Sequence, residues 1–174
     1  DVQLVHNHTM LHDRTGFVRA FHGDGTVKAG WPAATHASVS SRALLPIGAP
    51  AVSDVDGDNR MEVFVGTHEG TLCAFSAGGQ PLAGWPVTMG ADPVVSTLGI
   101  ADINGDGAKE IVATAINTEQ STRTSAYRAD GSLLWSRTQS SYYCCTVGSP
   151  LFIDLDGKAG MEIIAPAMNV ILGL

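Results

Sequence analysis

A nine-residue acidic segment recurs three times in this chain, and no other feature restricts the fold as much. Asp54-Val-Asp-Gly-Asp-Asn-Arg-Met-Glu62, Asp102-Ile-Asn-Gly-Asp-Gly-Ala-Lys-Glu110 and Asp154-Leu-Asp-Gly-Lys-Ala-Gly-Met-Glu162 begin 48 and then 52 residues apart. A period of about 20 to 50 residues is the signature of a repeat array or a propeller. A second element repeats in phase with the first. Val18-Arg-Ala-Phe-His-Gly-Asp-Gly-Thr-Val-Lys-Ala-Gly-Trp-Pro32 matches Leu72-Cys-Ala-Phe-Ser-Ala-Gly-Gly-Gln-Pro-Leu-Ala-Gly-Trp-Pro86, and Ser125-Ala-Tyr-Arg-Ala-Asp-Gly-Ser-Leu-Leu-Trp135 is a shortened copy.

Each period holds four short β-rich runs separated by turn residues, which is the content of one four-stranded blade. In the middle period the runs are Ala51 to Asp54, Glu62 to Gly66, Thr71 to Ser76 and a fourth around Leu82 to Val87, with Glu69-Gly70 and Gly78-Gly79 at turns that need positive φ. Helical periodicity is absent, apart from one turn expected within Ala33 to Leu45. The expected fold class is therefore all-β: propeller blades of four antiparallel strands. The repeat units run over 1–61, 62–109, 110–161 and a partial 162–174. Asp1-Val-Gln-Leu-Val5 aligns with Glu62-Val-Phe-Val65, and Ile171 to Leu174 falls inside a third strand, so the chain reads as cut within a blade at both ends. A propeller closes with typically about 4 to 8 blades, so the missing blades are expected from the rest of a longer protein or from another chain.

Acids at positions 1, 3 and 5 of the nonapeptide, Gly at 4 and an acid at 9 let a tight loop wrap oxygens around one hard cation. Calcium takes about 6 to 8 oxygen ligands and suits such a loop better than octahedral magnesium. The first site is expected to use Asp54, Asp56, Asp58 and Glu62 with the Arg60 carbonyl, and the second Asp102, Asn104, Asp106 and Glu110 with the Ala108 carbonyl. Asp154, Asp156 and Glu162 make a degenerate third, because Lys158 replaces the acid at position 5 and its ammonium can sit among those carboxylates. Calcium occupancy is expected to fall from the first loop to the third. An EF-hand would need a Glu at position 12 and flanking helices. Position 12 is Val65, Ala113 and Ala165, so that reading fails.

The combination of D-x-[DN]-G-D-x-x-x-E with a G-x-x-x-x-G-W-P element resembles the FG-GAP or VCBS-type repeats of integrin α-subunit propellers and of many bacterial secreted proteins. The resemblance covers nearly the whole chain. It implies a propeller, often seven-bladed, with calcium in the loops between first and second strands as a structural staple, and adhesion, lectin-like or scaffolding roles, sometimes beside catalytic domains. On that basis the chain is expected to be a non-catalytic, secreted or cell-surface module that recognises a protein or a glycan. The alternative is the propeller portion of a secreted polysaccharide lyase or another hydrolytic enzyme, with catalytic residues outside this chain.

Charge agrees with local cation chemistry. The formal net charge is −7, yet ten of the 17 acids lie in the three loops, leaving seven against ten Lys and Arg. No Lys/Arg run exists, which excludes the ordinary footprint of a nucleic-acid partner. The longest apolar stretches, such as Ile111 to Ile116 and Ile163 to Met168, are far shorter than the roughly 20 residues a membrane-crossing helix needs, so no membrane insertion is expected. No charged and then apolar leader stands at Asp1. With three cysteines, Cys73 and the adjacent Cys144 and Cys145, at least one stays free or pairs outside the chain.

Trp31, Trp85 and Trp135 recur at the blade period, which suits packing between blades. A Gly-x-Ser-x-Gly elbow, a phosphate loop and a zinc helix are absent, as is a quinone-binding constellation. His6, His8 and His12 could present imidazoles to a transition metal, although only Asp13 stands near to complete a set. Asn7-His8-Thr9 is a glycosylation sequon. In an up-and-down blade the first and third connections share one end of the strands, so a partner is expected on the face opposite the calcium loops. Long connections are anticipated there over His6 to Thr15, Asn117 to Thr124, Ala33 to Leu45 and Ser136 to Thr146, with Tyr142 and Tyr143 as aromatic contacts.

Overall fold

The computed structural model describes residues 2–5, 16–35, 49–67, 70–90, 93–117, 121–140 and 149–165. Asp1, His6, His8, His12, Asp13, Tyr142, Tyr143, Cys144, Cys145 and Ile171 to Leu174 lie outside them. The described residues are all-β: thirteen strands form four antiparallel sheets, each sheet built from consecutive strands in chain order. The first has β1 (Val2–Val5), β2 (Phe17–Ala20) and β3 (Ala33–Ala34). The second has β4 (Ala51–Ser53), β5 (Glu62–Gly66), β6 (Thr71–Phe75) and β7 (Val87–Thr88). In the third, β8 (Pro93–Ala101), β9 (Glu110–Asn117), β10 (Ser121–Tyr127) and β11 (Leu133–Ser140) are joined; the last pairs β12 (Leu151–Ile153) with β13 (Glu162–Ile164). This is the blade architecture that the repeat predicts. No helix among the described residues is long and apolar enough to cross a membrane.

Strand alternation explains how the sheets stack. β5 and β6 are buried on both faces, because odd and even side chains point to opposite sides of a strand. Val63, Val65, Cys73 and Phe75 pack with Val18, Ala20, Trp31 and Ala33 of the first sheet. Phe64, Leu72 and Ala74 pack the other way, with Leu98, Ile111, Ala113, Ala115 and Tyr127 of the third sheet. One sheet thus contributes to two cores.

Trp31 and Trp85 seal these interfaces as the period suggests, whereas Trp135 is half-buried in β11. Trp31 donates its indole N–H to the Ala77 carbonyl at 3.4 Å and lies edge-on to Phe75, while Trp85 donates to the Ala129 carbonyl at 2.9 Å between Phe64 and Tyr127. Glycine makes the approach possible. Gly30, at φ 87°, faces the Gly78 carbonyl, and Gly84, at φ 83°, faces that of Asp130, with no room for a Cβ in either place. Gly79 and Gly131 of the next sheets reciprocate against the Gly30 and Gly84 carbonyls. The backbone clasp therefore occurs twice, one sheet apart.

Several strand limits differ from the expectation. Leu82 to Gly84 is a tight turn, closed by the Trp85 amide on the Leu82 carbonyl at 3.2 Å, and the fourth strand is Val87–Thr88. Ala33–Ala34 is extended, paired with Val18 and Phe17; the remainder of the stretch where one helical turn is expected, residues 36–45, lies outside the described residues. The third sheet's long connections are also shorter than anticipated. Ser121 to Thr124 belongs to β10, in register with Ile116 to Thr114 and with Ser140 to Arg137, and Ser136 to Ser140 belongs to β11. β-branched Thr122 and Thr124 suit the pleated ladder, which leaves only residues 118–120 to connect β9 and β10.

Candidate metal centre

The three acidic nonapeptides occupy the connections β4–β5, β8–β9 and β12–β13, so each begins where one strand ends and delivers its final Glu as the first residue of the next. Local hydrogen bonding shapes them alike. Asp54 accepts the Gly57 amide on Oδ1 at 2.7 Å and the Asn59 amide on Oδ2 at 3.0 Å. Asp102 accepts the Gly105 amide at 2.7 Å and the Gly107 amide at 2.9 Å, and Asp154 accepts the Gly157 amide at 2.6 Å. The middle acids act as Asx turns: Asp56 takes the Asp58 amide at 3.1 Å, Asp58 the Arg60 amide at 2.7 Å, and Asp106 the Ala108 amide at 2.8 Å. Gly57, Gly105 and Gly157 at position 4 all have positive φ, which lets the chain fold back towards the first Asp.

The closing Glu ties each loop to its own start. Glu62 Oε2 accepts the Val55 amide at 3.0 Å, Glu110 Oε2 the Ile103 amide at 3.0 Å and Glu162 Oε2 the Leu155 amide at 2.7 Å. Their burial differs sharply. Glu62 and Glu110 are 3% and 2% exposed, whereas Glu162 is exposed. Even-numbered residues of β5 face the third sheet, so the shelter of Glu62 comes from the following sheet. Burial first, and then repulsion from Asp56, Asp58 and Asp54, pushes the Glu62 carboxyl above its ordinary range. Burial followed by Asp106 and Asp102 does the same to Glu110. Asp102 goes the other way, held low chiefly by the Gly107 amide.

Convergence of oxygens separates the loops. Asp54, Asp56 and Glu62 bring carboxylate oxygens within 4.8 Å of one another, and so do Asp154, Asp156 and Glu162. Asp58 stands outside the first set and accepts the Arg60 amide at 2.7 Å instead. In the second loop the Asn104 amide group donates to Asp106 Oδ2 at 2.9 Å and to Glu110 Oε1 at 3.4 Å, linking the acids through a neutral side chain. In the third, Lys158 Nζ meets Asp156 Oδ2 at 2.5 Å, pairing with one acid rather than standing among all three. These donor sets are hard oxygens on preformed loops, and the two carboxylate triads could hold a metal ion.

Sequence spacing misses one participant. Lys109, from the second loop, donates Nζ to Ser53 Oγ at 2.9 Å and to the Asp54 carbonyl at 3.1 Å, beside the first loop. Nothing in the order of residues points to it, because the contact joins positions 55 and 56 residues apart.

Comparison with known proteins follows the same segments. The chain gives no match among curated proteins. A crystal structure of the V. cholerae biofilm matrix protein Bap1 aligns over 90% of this chain at 21% identity with a TM-score of 0.46, and this chain spans 29% of that one. From the first acidic loop through the second and into β9, residues 54–113 match the FG-GAP-like repeat family.

Proposed function

We propose that the chain is a calcium-stapled binding or adhesion module that works at the cell surface or outside the cell. The observation that carries this reading is the convergence of Asp54, Asp56 and buried Glu62 on one point of a loop that joins two strands of a blade. Their like charges, brought this close, repel one another when no cation is present. A bound calcium offsets that repulsion and ties the end of β4 to the start of β5. The match of residues 54–113 to FG-GAP-like repeats supports the same assignment. Structural calcium sites of about 10⁻⁴ to 10⁻³ M fill where calcium is millimolar, which favours a module outside the cytosol. Recognition of a protein or glycan falls to the end of the blades opposite the acidic loops.

A ligand that binds only the folded state adds about 2.7 kcal/mol at 100 times its dissociation constant. Removing calcium with excess chelator is therefore expected to lower the melting temperature by several degrees, and re-adding calcium, but not magnesium, to restore it. An unchanged melting curve refutes the proposal. The loops also differ in a way that substitution can correct. Lys158→Asp removes the ammonium from Asp156 and restores the acid at position 5, so it is expected to add a calcium site that calorimetric titration detects. An unchanged stoichiometry would show that Lys158 is not what weakens the third loop.

A further inference from the structure

The outermost strand of the third sheet is built unlike its counterparts. β3 and β7, the last strands of the first two sheets, are each 2 residues long, whereas β11 has 8. The cause is local. Gly30-Trp31-Pro32 and Gly84-Trp85-Pro86 lead into the short strands, and proline has no N–H to add to a ladder. The shortened copy reads Leu134-Trp135-Ser136, with Ser136 where the others have proline, and the chain stays extended to Ser140. Among the described residues β11 pairs only with β10, and Arg137, Thr138 and Gln139 are exposed. Natural sheets usually blunt such an edge with a short strand, a proline or a lysine, because its unpaired N–H and C=O groups can pair with another chain. β11 has none of the three. Its one irregularity lies near Leu133, opposite Ala126 and Tyr127, so the register from Trp135 to Ser140 is unbroken.

The pairing with β10 shows which groups are free. Ser125 and Ser136 stand directly opposite, and their hydroxyls meet at 2.9 Å, the closeness of a pair that exchanges no backbone hydrogen bonds. The N–H and C=O of Ser136 therefore point out of the sheet edge, where Arg137 Nη1 donates to the Ser136 carbonyl at 3.0 Å. We propose that β11 pairs antiparallel with β11 of a second copy of this chain, about a two-fold axis at Ser136. In that register Ser136 faces Ser136 of the other copy, and the two exchange both backbone hydrogen bonds. Trp135 then stands opposite Arg137 of the other copy, twice, in the closer kind of cross-strand pair. A guanidinium against an indole face is attractive. Arg137 is the only charged residue of β11, so no like charges meet, whereas an axis at Arg137 would set the two guanidiniums opposite each other. One self-complementary surface is what a two-fold interface requires. A contact of one strand buries less than a permanent dimer needs, so the association is weak and concentration-dependent. None of this depends on calcium.

The whole chain, in one buffer at physiological salt, is followed by sedimentation equilibrium from micromolar to millimolar protein. The parent is expected to form a dimer and nothing larger. Ser136→Pro, which installs the residue of the other two blades, removes the N–H of both central hydrogen bonds and is expected to weaken dimerisation at least about 10-fold. Trp135→Lys sets an ammonium against Arg137 of the other copy at two places and is expected to weaken it by about 10-fold. Adding Arg137→Glu to Trp135→Lys turns both contacts into Lys–Glu pairs and is expected to recover most of that loss. The single and double variants share the loss of Trp135, so a packing defect alone would not be repaired by the second change. Thermal unfolding of each variant reports whether it folds; if Ser136→Pro does not, the charge exchange decides alone. A parent that stays monomeric at millimolar concentration overturns the proposal and leaves the edge to an extended segment of a different protein. A dimer indifferent to a folded Ser136→Pro variant, or one that Trp135→Lys weakens and Arg137→Glu does not restore, overturns it as well.

Discussion

Gly79→Ala is expected to destabilise the protein by at least about 3 kcal/mol, while Gly25→Ala at the equivalent position of the first blade costs only about 1–2 kcal/mol, the ordinary cost of an L side chain in the left-handed region. The two glycines close the same turn, with amides on the Ser76 and His22 carbonyls at the same 2.9 Å, and have φ of 78° and 85°. They differ in their surroundings. A Cβ at Gly79 would overlap the Gly30 carbonyl, with the Trp31 ring in ordinary contact beside it, whereas one at Gly25 meets nothing within 4 Å among the described residues. The obstacle is backbone and not the end of a flexible side chain, so the two sheets must move apart and the edge-on contact of Trp31 with Phe75 loosens. At roughly 2–4 °C per kcal/mol for a chain of this size, thermal unfolding at fixed calcium should separate the variants clearly. Equal losses from both would mean that the backbone clasp between blades adds nothing to stability.

Phe64→Ala is the second large effect, at about 3–5 kcal/mol, the usual range for removing a fully buried aromatic side chain. Phe64 is 1% exposed, its ring centroid lies 5.3 Å from that of Trp85 in an edge-on arrangement, and it faces the third sheet. Chemical denaturation of this variant against the parent reads the loss directly. A loss under about 1 kcal/mol, the range of surface changes, would contradict the stacking described above.

The comparison of Gly79 with Gly25 sets residues of equal sequence rank in unequal environments, and the same contrast divides what could be read in advance. The nonapeptides alone determine that Asp54, Asp102 and Asp154 start loops, that Gly57, Gly105 and Gly157 take positive φ, and that a Glu closes each loop at the head of a strand. These are contacts within nine residues, where spacing and backbone sterics suffice. Strand content, the glycine turns and the placing of Trp31 and Trp85 between blades were legible for a related reason: they repeat, and a repeated apolar residue needs a repeated partner.

Sequence reasoning faltered wherever the deciding contact came from another strand or blade. Leu82 to Gly84 looked extended by composition but turns, because Gly84 must meet the Asp130 carbonyl of the next sheet. Thr122 and Thr124 looked like loop material until β9 and β11 supplied a ladder on each side. Glu62 and Glu110 head their strands in the same motif, and it is the stacking of the sheets that buries both. Lys109 reached the first loop because two blades set their acidic loops side by side. Sequence by itself determined the chemistry of each loop, since that chemistry is local. Tertiary structure decided which carboxylates are sheltered and which loops touch, because burial and cross-blade hydrogen bonds exist only after the sheets have packed.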